Sequence, residues 1–600
     1  MSFDRRNIIP IGIIALILVT ALGFPMASFA QSLFGNGYNA RYYGPAPAEL
    51  AVIRGLIMAM SLAFGLLLGW LMSPESREVR KIILLLVAGA AVLFAIGNGS
   101  ALGWSLTTLL SIILFCGGVG YWIGRTVLKL GKVPTTFGSA SWATIEEMDD
   151  CGLLDGRGIR LGLVLSDEEV ERLSYPGDRH ALIVAPTRSG KGTTQIVPNL
   201  LTHQGSTMVI DIKGENALIT ARARQEMGQE VLILDPWGIA PVEGIPAARF
   251  NPLDWVVQGG MDVSENAMLL ADAIVVRTSD KEAFWDQMAV GYLQGVILYV
   301  ASDEREDGQR HLPRVRDLMM LDGDDMRAFF QRMLESPHHV VAATGARMLQ
   351  MDEKLLSNVM ASVQSHTQFL DSPRLRESLS VSDFRFEDMK ATGMSVYLVL
   401  PADRVQAFAP WLRLLVQQAI TVNARNIAEK PAKPILFILD EMAALGRLSM
   451  VEQAYGLMAG FGMQLYGVVQ DLSQLKRIYG DGFETFIGNS GLIQYFGSRD
   501  RMTAEYFSAL CGETTVWNFS TAVSRTFGSS SGQGGGSSSS STADTDTTAA
   551  AQRKLAYADE LMRLADDTQL IFVENMNPII ATKVPWFEDQ ELKSKGVSLQ

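Results

Sequence analysis

Two kinds of apolar run divide this chain. Long runs crowd the first 124 residues, and short ones, bounded by Gly, Asp or Pro, recur through the rest. The long runs lie at about Ile8–Phe29, Leu50–Met72, Ile82–Gly97 and Leu102–Ile123. Each predicts a helix near the length that crosses roughly 30 Å of hydrocarbon at about 1.5 Å per residue, the third being the shortest. Basic residues flank them on alternating sides: Arg5 and Arg6 before the first, Arg77, Arg80 and Lys81 between the second and third, Arg125, Lys129 and Lys132 after the fourth. Retention of positive charge on the cytoplasmic side places both ends of this region inside the cell. Arg54 can snorkel from the second run to the interface. The first run has a second reading, because Arg5-Arg6, an apolar core and Ser28-Phe-Ala30 before Gln31 also fit a cleaved signal peptide. Its core exceeds the usual ~7–15 residues of such a signal, which favours a retained anchor. The pattern predicts an integral inner-membrane protein with about four spans in residues 1–130 and a multi-pass topology.

Beyond about Thr135 the short runs are Met208–Ile212, Val231–Leu234, Val396–Leu400, Ile435–Leu439, Leu465–Val469, Leu492–Phe496 and Leu570–Val573. Alternating with helix-like stretches, they predict a mostly parallel sheet covered on both faces, an α/β fold. Several end in polar residues at the edge where open α/β sheets bind ligands: Asp211 with Lys213, Asp235, Asp440 with Glu441, and Gln470. Between about Val263 and Leu370 the periodicity is helical (Glu282–Val300, Met326–Leu334, Val340–Phe369), which predicts an all-α insertion. The Ser/Gly-rich stretch at about 518–551, with Ser529-Ser-Ser-Gly-Gln-Gly-Gly-Gly-Ser537, is too poor in apolar side chains to build a core and predicts a disordered surface loop. The domains expected are residues 1–130 in the membrane, 131–262 as the first part of a nucleotide-binding domain, 263–370 as the insertion and 371–600 as the second part.

Charge sharpens this division. The net charge is −13, yet residues up to Lys132 carry +6 and the remainder −19. So acidic a body argues against a broad DNA-coating surface, although a basic channel within it is compatible. The cysteines, Cys116, Cys151 and Cys511, are scattered and offer neither a metal spacing nor a disulfide framework. His338-His339 has no acidic or cysteine partner pattern nearby and reads as structural.

The chemistry lies in two half-sites. After the apolar His180–Val184 comes Ala185-Pro-Thr-Arg-Ser-Gly-Lys-Gly-Thr193, a glycine-containing turn between a strand and a helix. That is the context of a phosphate-binding loop, in which backbone N–H groups cradle phosphate and a lysine reaches the β/γ oxygens. The match to GxxxxGK followed by Ser or Thr is imperfect: Ala185 replaces the first glycine and Gly192 stands where a magnesium hydroxyl is usual. Pro186, Thr187, Arg188, Ser189 and Gly190 form the loop; Lys191 neutralises phosphoryl charge; Gly190 and Gly192 let the backbone approach. About 250 residues later the apolar Pro434–Leu439 ends in Asp440 and Glu441, suited to hold Mg²⁺ and to orient or deprotonate water. Together they point to hydrolysis of a nucleotide, with ATP and Mg²⁺ as cofactors. No arginine stands at an evident position to complete the site in cis, so Arg447 and Arg499 are candidates to act on a neighbouring subunit.

These residues resemble the VirD4/TraG coupling proteins of type IV secretion and conjugation systems. The matching segments include Ala185–Gly192, Val197-Pro-Asn-Leu-Leu201, Asp211-Ile-Lys-Gly-Glu215, Phe250-Asn-Pro-Leu253 and Phe284-Trp285. Further on come Leu439-Asp-Glu-Met-Ala-Ala-Leu-Gly-Arg447, Gln470-Asp-Leu-Ser-Gln-Leu475, Tyr479-Gly480 and Thr503-Ala-Glu-Tyr-Phe507. The resemblance implies a RecA-like motor with an all-α insertion behind an N-terminal bundle of transmembrane helices, assembled as a homohexamer with the motor in the cytoplasm. It implies that Gln470 senses the γ-phosphate and that the magnesium hydroxyl comes from Thr193 or Thr194. The partners it implies are a relaxase and relaxosome with single-stranded DNA, and the inner-membrane components of the secretion channel. Two other readings compete. A septal DNA pump would carry a long linker and a C-terminal winged-helix reader, whereas only about 60 residues separate Ile123 from the phosphate loop. A binding-only scaffold would have no use for both Asp440 and Glu441.

Overall fold

A computed structural model describes residues 47–71, 111–121, 138–165, 170–258, 260–276, 283–530 and 537–599. The chain divides into two compact units, Met1–Pro134 and Thr135–Gln600. In the first, a helix spans Pro47–Leu71 over the second apolar run, and residues 111–121 are helical within the fourth. The two meet at Gly65, where an added Cβ would come within 2.8 Å of the Phe115 carbonyl oxygen, so a glycine is what allows this approach. The first and third apolar runs lie outside the described residues. Among the described residues, no helix is long and apolar enough to cross a membrane.

The second unit is built on one eleven-stranded sheet. Its strands are β1 (Ile159–Leu165), β2 (Val170–Tyr175), β3 (Ala181–Val184), β4 (Thr207–Ile212), β5 (Glu230–Leu234), β6 (Met394–Leu400), β7 (Ile435–Leu439), β8 (Met463–Val469) and β9 (Leu492–Tyr495). A separate pair, β10 (Glu513–Ser530) and β11 (Ser537–Lys554), precedes β12 (Thr568–Val573) and β13 (Ile579–Thr582). The spatial order is β2-β1-β13-β12-β9-β3-β8-β7-β4-β6-β5. From β9 to β5 all neighbours are parallel, and β12, β13, β1 and β2 extend the sheet antiparallel beyond β9. Central strands such as β3 (ALIV) and β7 (ILFIL) are buried at every position, as strands covered on both faces must be. Alternate residues serve opposite faces: Leu182, Val184, Ile435, Phe437 and Leu439 join one core, and Ala181, Ile183, Leu436 and Ile438 the other.

Between β5 and β6 the chain is helical, with Val263–Ile274, Ala283–Ser302, Leu312–Met319, Gly323–Leu334, His339–Gln350 and Glu353–His366 as its main helices. Ala283–Ser302 is buried almost all round from Tyr292 to Ala301, so the other helices wrap it. This region shares one continuous core with a face of the sheet.

Three features depart from the sequence pattern. The helix expected at Val340–Phe369 is two, because Asp352 accepts from Leu355 N and starts a new helix. Strands β1, β2 and β13 carry only short or broken apolar runs, since they extend the sheet on its antiparallel side, where burial is partial. Where a disordered loop is expected at 518–551, β10 and β11 form an antiparallel ribbon paired from Glu513↔Lys554 to Ser530↔Ser537. Poverty in apolar side chains bars a core but not a ladder, because two strands satisfy each other's N–H and C=O groups.

Candidate functional site

Strands β7, β8 and β3 are consecutive neighbours in the parallel sheet, so their C-terminal ends share one edge. That edge brings together segments far apart in sequence. At β3, Ala185 N–H still donates to the Val469 carbonyl of β8 (2.9 Å), after which the chain turns through Pro186–Gly190. Ser189 N–H donates to Pro186 O, while Arg188 (φ 65°) and Gly190 (φ 86°) adopt left-handed backbone. Glycine suits the second of these positions; arginine accepts strain at the first. The helix then begins with a π turn over Gly192–Ile196 before the α-helical Val197–Thr202. Thr193 and Thr194 both donate their hydroxyls to Gly190 O, at 3.1 and 2.9 Å. Thr194 is buried, whereas Thr193 is half-exposed. A Cβ added at Gly192 would meet nothing within 4 Å, so packing within the protein does not require a glycine there.

Lys191 meets both carboxylates at the end of β7: its Nζ lies 2.8 Å from Asp440 Oδ1 and 3.2 Å from Glu441 Oε2. Burial disfavours its charge, but the two carboxylates outweigh that and hold its pKa above the ordinary lysine value. Gln470, just past β8, donates Nε2 to Glu441 Oε1 at 2.7 Å. Glu441 itself sits in left-handed backbone (φ 57°, ψ 48°), an uncommon conformation for a non-glycine residue and one that clusters at functional sites. Lys191, Asp440, Glu441 and Gln470 thus form one contact network. Carboxylate and hydroxyl oxygens at such an edge suit magnesium, which takes few protein ligands and keeps water and phosphate oxygens. Among the described residues, no cluster of three or more His, Cys, Asp or Glu side chains is placed to hold a metal alone.

Other edge residues are occupied structurally. Asp211, at the end of β4, accepts from Gly214 N, Ala217 N and Asn216 Nδ2, and so starts the helix Glu215–Glu226. Asp235 accepts from Gly238 N and Ala240 N in the turn after β5. Arg188 and Arg499 are exposed, and Arg447 lies 3.7 Å from Glu452.

Two supports of the site escaped the sequence pattern. Arg413, fully buried in the helix Val405–Arg425, donates to the carbonyls of Leu445 and Arg447 (2.7 Å each) and of Ala273 (3.0 Å). It ties the turn after Glu441 to the helical region. Lys583, one residue beyond β13, donates Nζ to Ser189 O at 3.0 Å, and Trp586 N–H donates to Thr193 O at 2.9 Å. Neither lies in a motif, and a lone lysine after a short strand carries no signal of its own.

Comparison with known proteins places these features in a wider group. The family model for type IV secretory system conjugative DNA transfer matches residues 141–599. The chain is 27% identical to protein VirD4 of Rhizobium radiobacter over 468 residues, covering 76% of this chain and 64% of that protein. It is 28% identical to the conjugal transfer protein TraG of Escherichia coli over 420 residues, covering 63% of this chain and 64% of that protein. The matches therefore span just under two thirds of these relatives' own length. Among solved structures, the plasmid coupling protein TrwB in complex with ADP and Mg²⁺ superposes with a TM-score of 0.54 at 17% identity, covering 78% of this chain and 98% of that one. TrwB in complex with a non-hydrolysable GTP analogue gives 0.55 at 16%, covering 76% and 96%. These likenesses establish the shared fold.

Proposed function

The chain belongs to the type IV secretory system conjugative DNA-transfer family, and from that membership we propose that it is an inner-membrane coupling ATPase. It uses ATP to deliver relaxase-bound single-stranded DNA, and protein cargo where the system exports it, to a secretion channel. The observation that carries this reading is the convergence of Lys191, Asp440, Glu441 and Gln470 at one sheet edge.

Each residue has a distinct task. The amides of the loop Pro186–Thr194 bind phosphate, and Lys191 exchanges its two carboxylate partners for the β/γ oxygens. Glu441, one oxygen held by Gln470, presents the other to a water molecule, orients it and takes its proton. Gln470 bridges Glu441 to the γ-phosphate position and so reports its occupancy. Asp440 and Thr193 would hold magnesium; Thr193 is preferred to Thr194 because it is the less buried hydroxyl. When bound, that ion neutralises phosphate charge and orients the β and γ groups.

The scheme calls for a homohexamer: Lys191 is the cation held against Asp440 and Glu441, while Arg188 and Arg499 stand exposed. A neighbouring subunit's arginine would complete the site. The apolar runs and basic flanks of the first unit support a multi-pass anchor with the motor in the cytoplasm. The test is transfer of DNA in cells carrying Lys191→Ala as their single copy, alongside ATP turnover of the purified full chain. Loss of both with normal membrane insertion is expected; normal transfer overturns the motor assignment.

A further inference from the structure

Lys583 is buried, yet no carboxylate among the described residues forms an ion pair with its ammonium group. Its contacts are the Ser189 carbonyl oxygen and the face of Phe496, whose ring centre lies 4.4 Å from Nζ. Burial lowers its pKa from the ordinary lysine value, against the fields of Asp566 and Asp567, whose carboxylates favour its charge without pairing with the ammonium. A buried ammonium without a carboxylate is costly, and a methionine of similar volume would fill the same space. Packing alone does not account for the charge at this position.

What the ammonium holds is informative. In a trans peptide the C=O and the following N–H point in opposite directions. Pinning the Ser189 carbonyl therefore also aims the Gly190 N–H, away from Lys583. The Ser189–Gly190 peptide is the one in this loop most able to turn over, since Gly190 accepts either sign of φ and here has +86°. Among the described residues no hydrogen bond occupies the Gly190 N–H. The Ser189 hydroxyl is buried and likewise without a hydrogen-bond partner among them. Three residues after Lys583, Trp586 N–H takes the Thr193 carbonyl. The segment from 583 to 586 thus grips the chain on both sides of Gly190-Lys191-Gly192.

We propose that Lys583 is a positioning residue of the nucleotide site, holding the Ser189–Gly190 peptide in the orientation that turns the Gly190 N–H toward bound phosphate. This deepens the ATPase reading and rests on it. The lysine acts through the loop backbone, and its field adds to the attraction for the polyphosphate without contact. It serves ground state and transition state alike, so its loss is read mainly in nucleotide affinity.

The experiment uses the full chain and two variants, Lys583→Met, which keeps the stem, and Lys583→Gln, which keeps a donor but falls short of the carbonyl. Fluorescent ADP with magnesium reports binding, and steady-state ATP turnover separates KM from kcat. Either variant is expected to weaken ADP binding and raise KM about tenfold, as for loss of a charge-assisted hydrogen bond, while kcat moves far less. Lys583→Arg, retaining charge and donor, is expected to recover most of the affinity. Unchanged ADP affinity and KM in whichever of the Met and Gln variants folds overturns the proposal. So does a loss of the same size in the Arg variant accompanied by an equal fall in melting temperature, which would mark a packing role. A wild-type protein that binds ADP but does not turn over ATP would instead strike the hydrolysis reading, leaving the binding comparison intact.

Discussion

Gln470 Nε2 lies 2.7 Å from one oxygen of Glu441, and Lys191 Nζ lies 3.2 Å from the other. The carboxylate is thus held from both sides, by an amide on one oxygen and an ammonium on the other. Glu441→Gln is expected to retain ADP binding and lose about 10²–10⁴-fold in kcat, because only the water-orienting charge is removed. Gln470→Ala should lower kcat less, by roughly tenfold, through a misplaced carboxylate. Turnover measured beside labelled-ADP binding separates the two; an unchanged kcat in Glu441→Gln places the base elsewhere.

Lys191 also makes stability depend on pH at the alkaline end. Its folded pKa lies above the ordinary 10.5, so the contribution is full below that value and is lost as pH rises through the folded pKa. Melting temperatures of the empty protein are expected to fall more steeply above pH 10.5 in wild type than in Lys191→Met. Parallel curves would mean that the pair with Asp440 and Glu441 adds nothing to stability.

At the acid end two histidines act in the opposite sense. His180 donates Nε2–H to Ala454 O and accepts Leu465 N–H at Nδ1, which fixes the neutral ring, and burial pushes its pKa down to about 4. His203, donating to Pro434 O, is likewise pushed down to about 4 by burial. Both contributions are complete above the unfolded value of 6.5 and are lost as pH falls towards 4. Each adds up to roughly 1.4 kcal/mol per pH unit to the slope. Urea unfolding between pH 7 and 5 should show a shallower loss in His180→Gln than in wild type, and equal slopes would contradict a buried neutral ring.

Arg413→Ala leaves the Leu445, Arg447 and Ala273 carbonyls without their donor, and a loss of about 3 kcal/mol or more is expected. The turn behind Glu441 should also become accessible to limited proteolysis near residues 442–447. A variant as stable and as protected as wild type would show that solvent replaces the guanidinium without penalty.

Catalysis is expected to depend on assembly. For residues 135–600, ATP turnover per subunit should rise with protein concentration and rise further with single-stranded DNA, the DNA effect weakening with salt. Rates strictly proportional to enzyme, and indifferent to DNA, would mean that each subunit works alone.

How far the sequence led is best seen strand by strand. The parallel strands β3, β4 and β6 to β9 are buried on both faces, so their apolar runs stand out, and the polar residues after β3, β7 and β8 mark the edge on which they meet. Strands β1, β2 and β13 offer only short apolar stretches, broken or bounded by Arg160, Arg172 and Thr582, which do not stand out over so few residues. The roles of Asp211 and Asp235 as helix and turn caps could not be told from ligand roles, since both functions call for a carboxylate at a strand end. Lys583 and Arg413 are invisible for another reason: their partners are main-chain carbonyls, which leave no complementary residue to find. The ribbon β10–β11 illustrates the same limit, because its pairing is between backbones.

The placement of β3 between β8 and β9 sets an order of events during synthesis. Ala181 pairs with Tyr466 and with Leu492, so roughly 285 residues must leave the ribosome before the strand ahead of the phosphate loop gains its first lateral neighbour. The grip of residues 583–586 on that loop comes later still. A nascent chain that lacks β8 and β9 therefore has no lateral support for the strand that presents the phosphate loop, and the contacts from Lys583 and Trp586 are added only when the chain is nearly complete. Arrested chains ending before Met463 should fail to crosslink a photoreactive ATP analogue, whereas the released full-length chain should capture it.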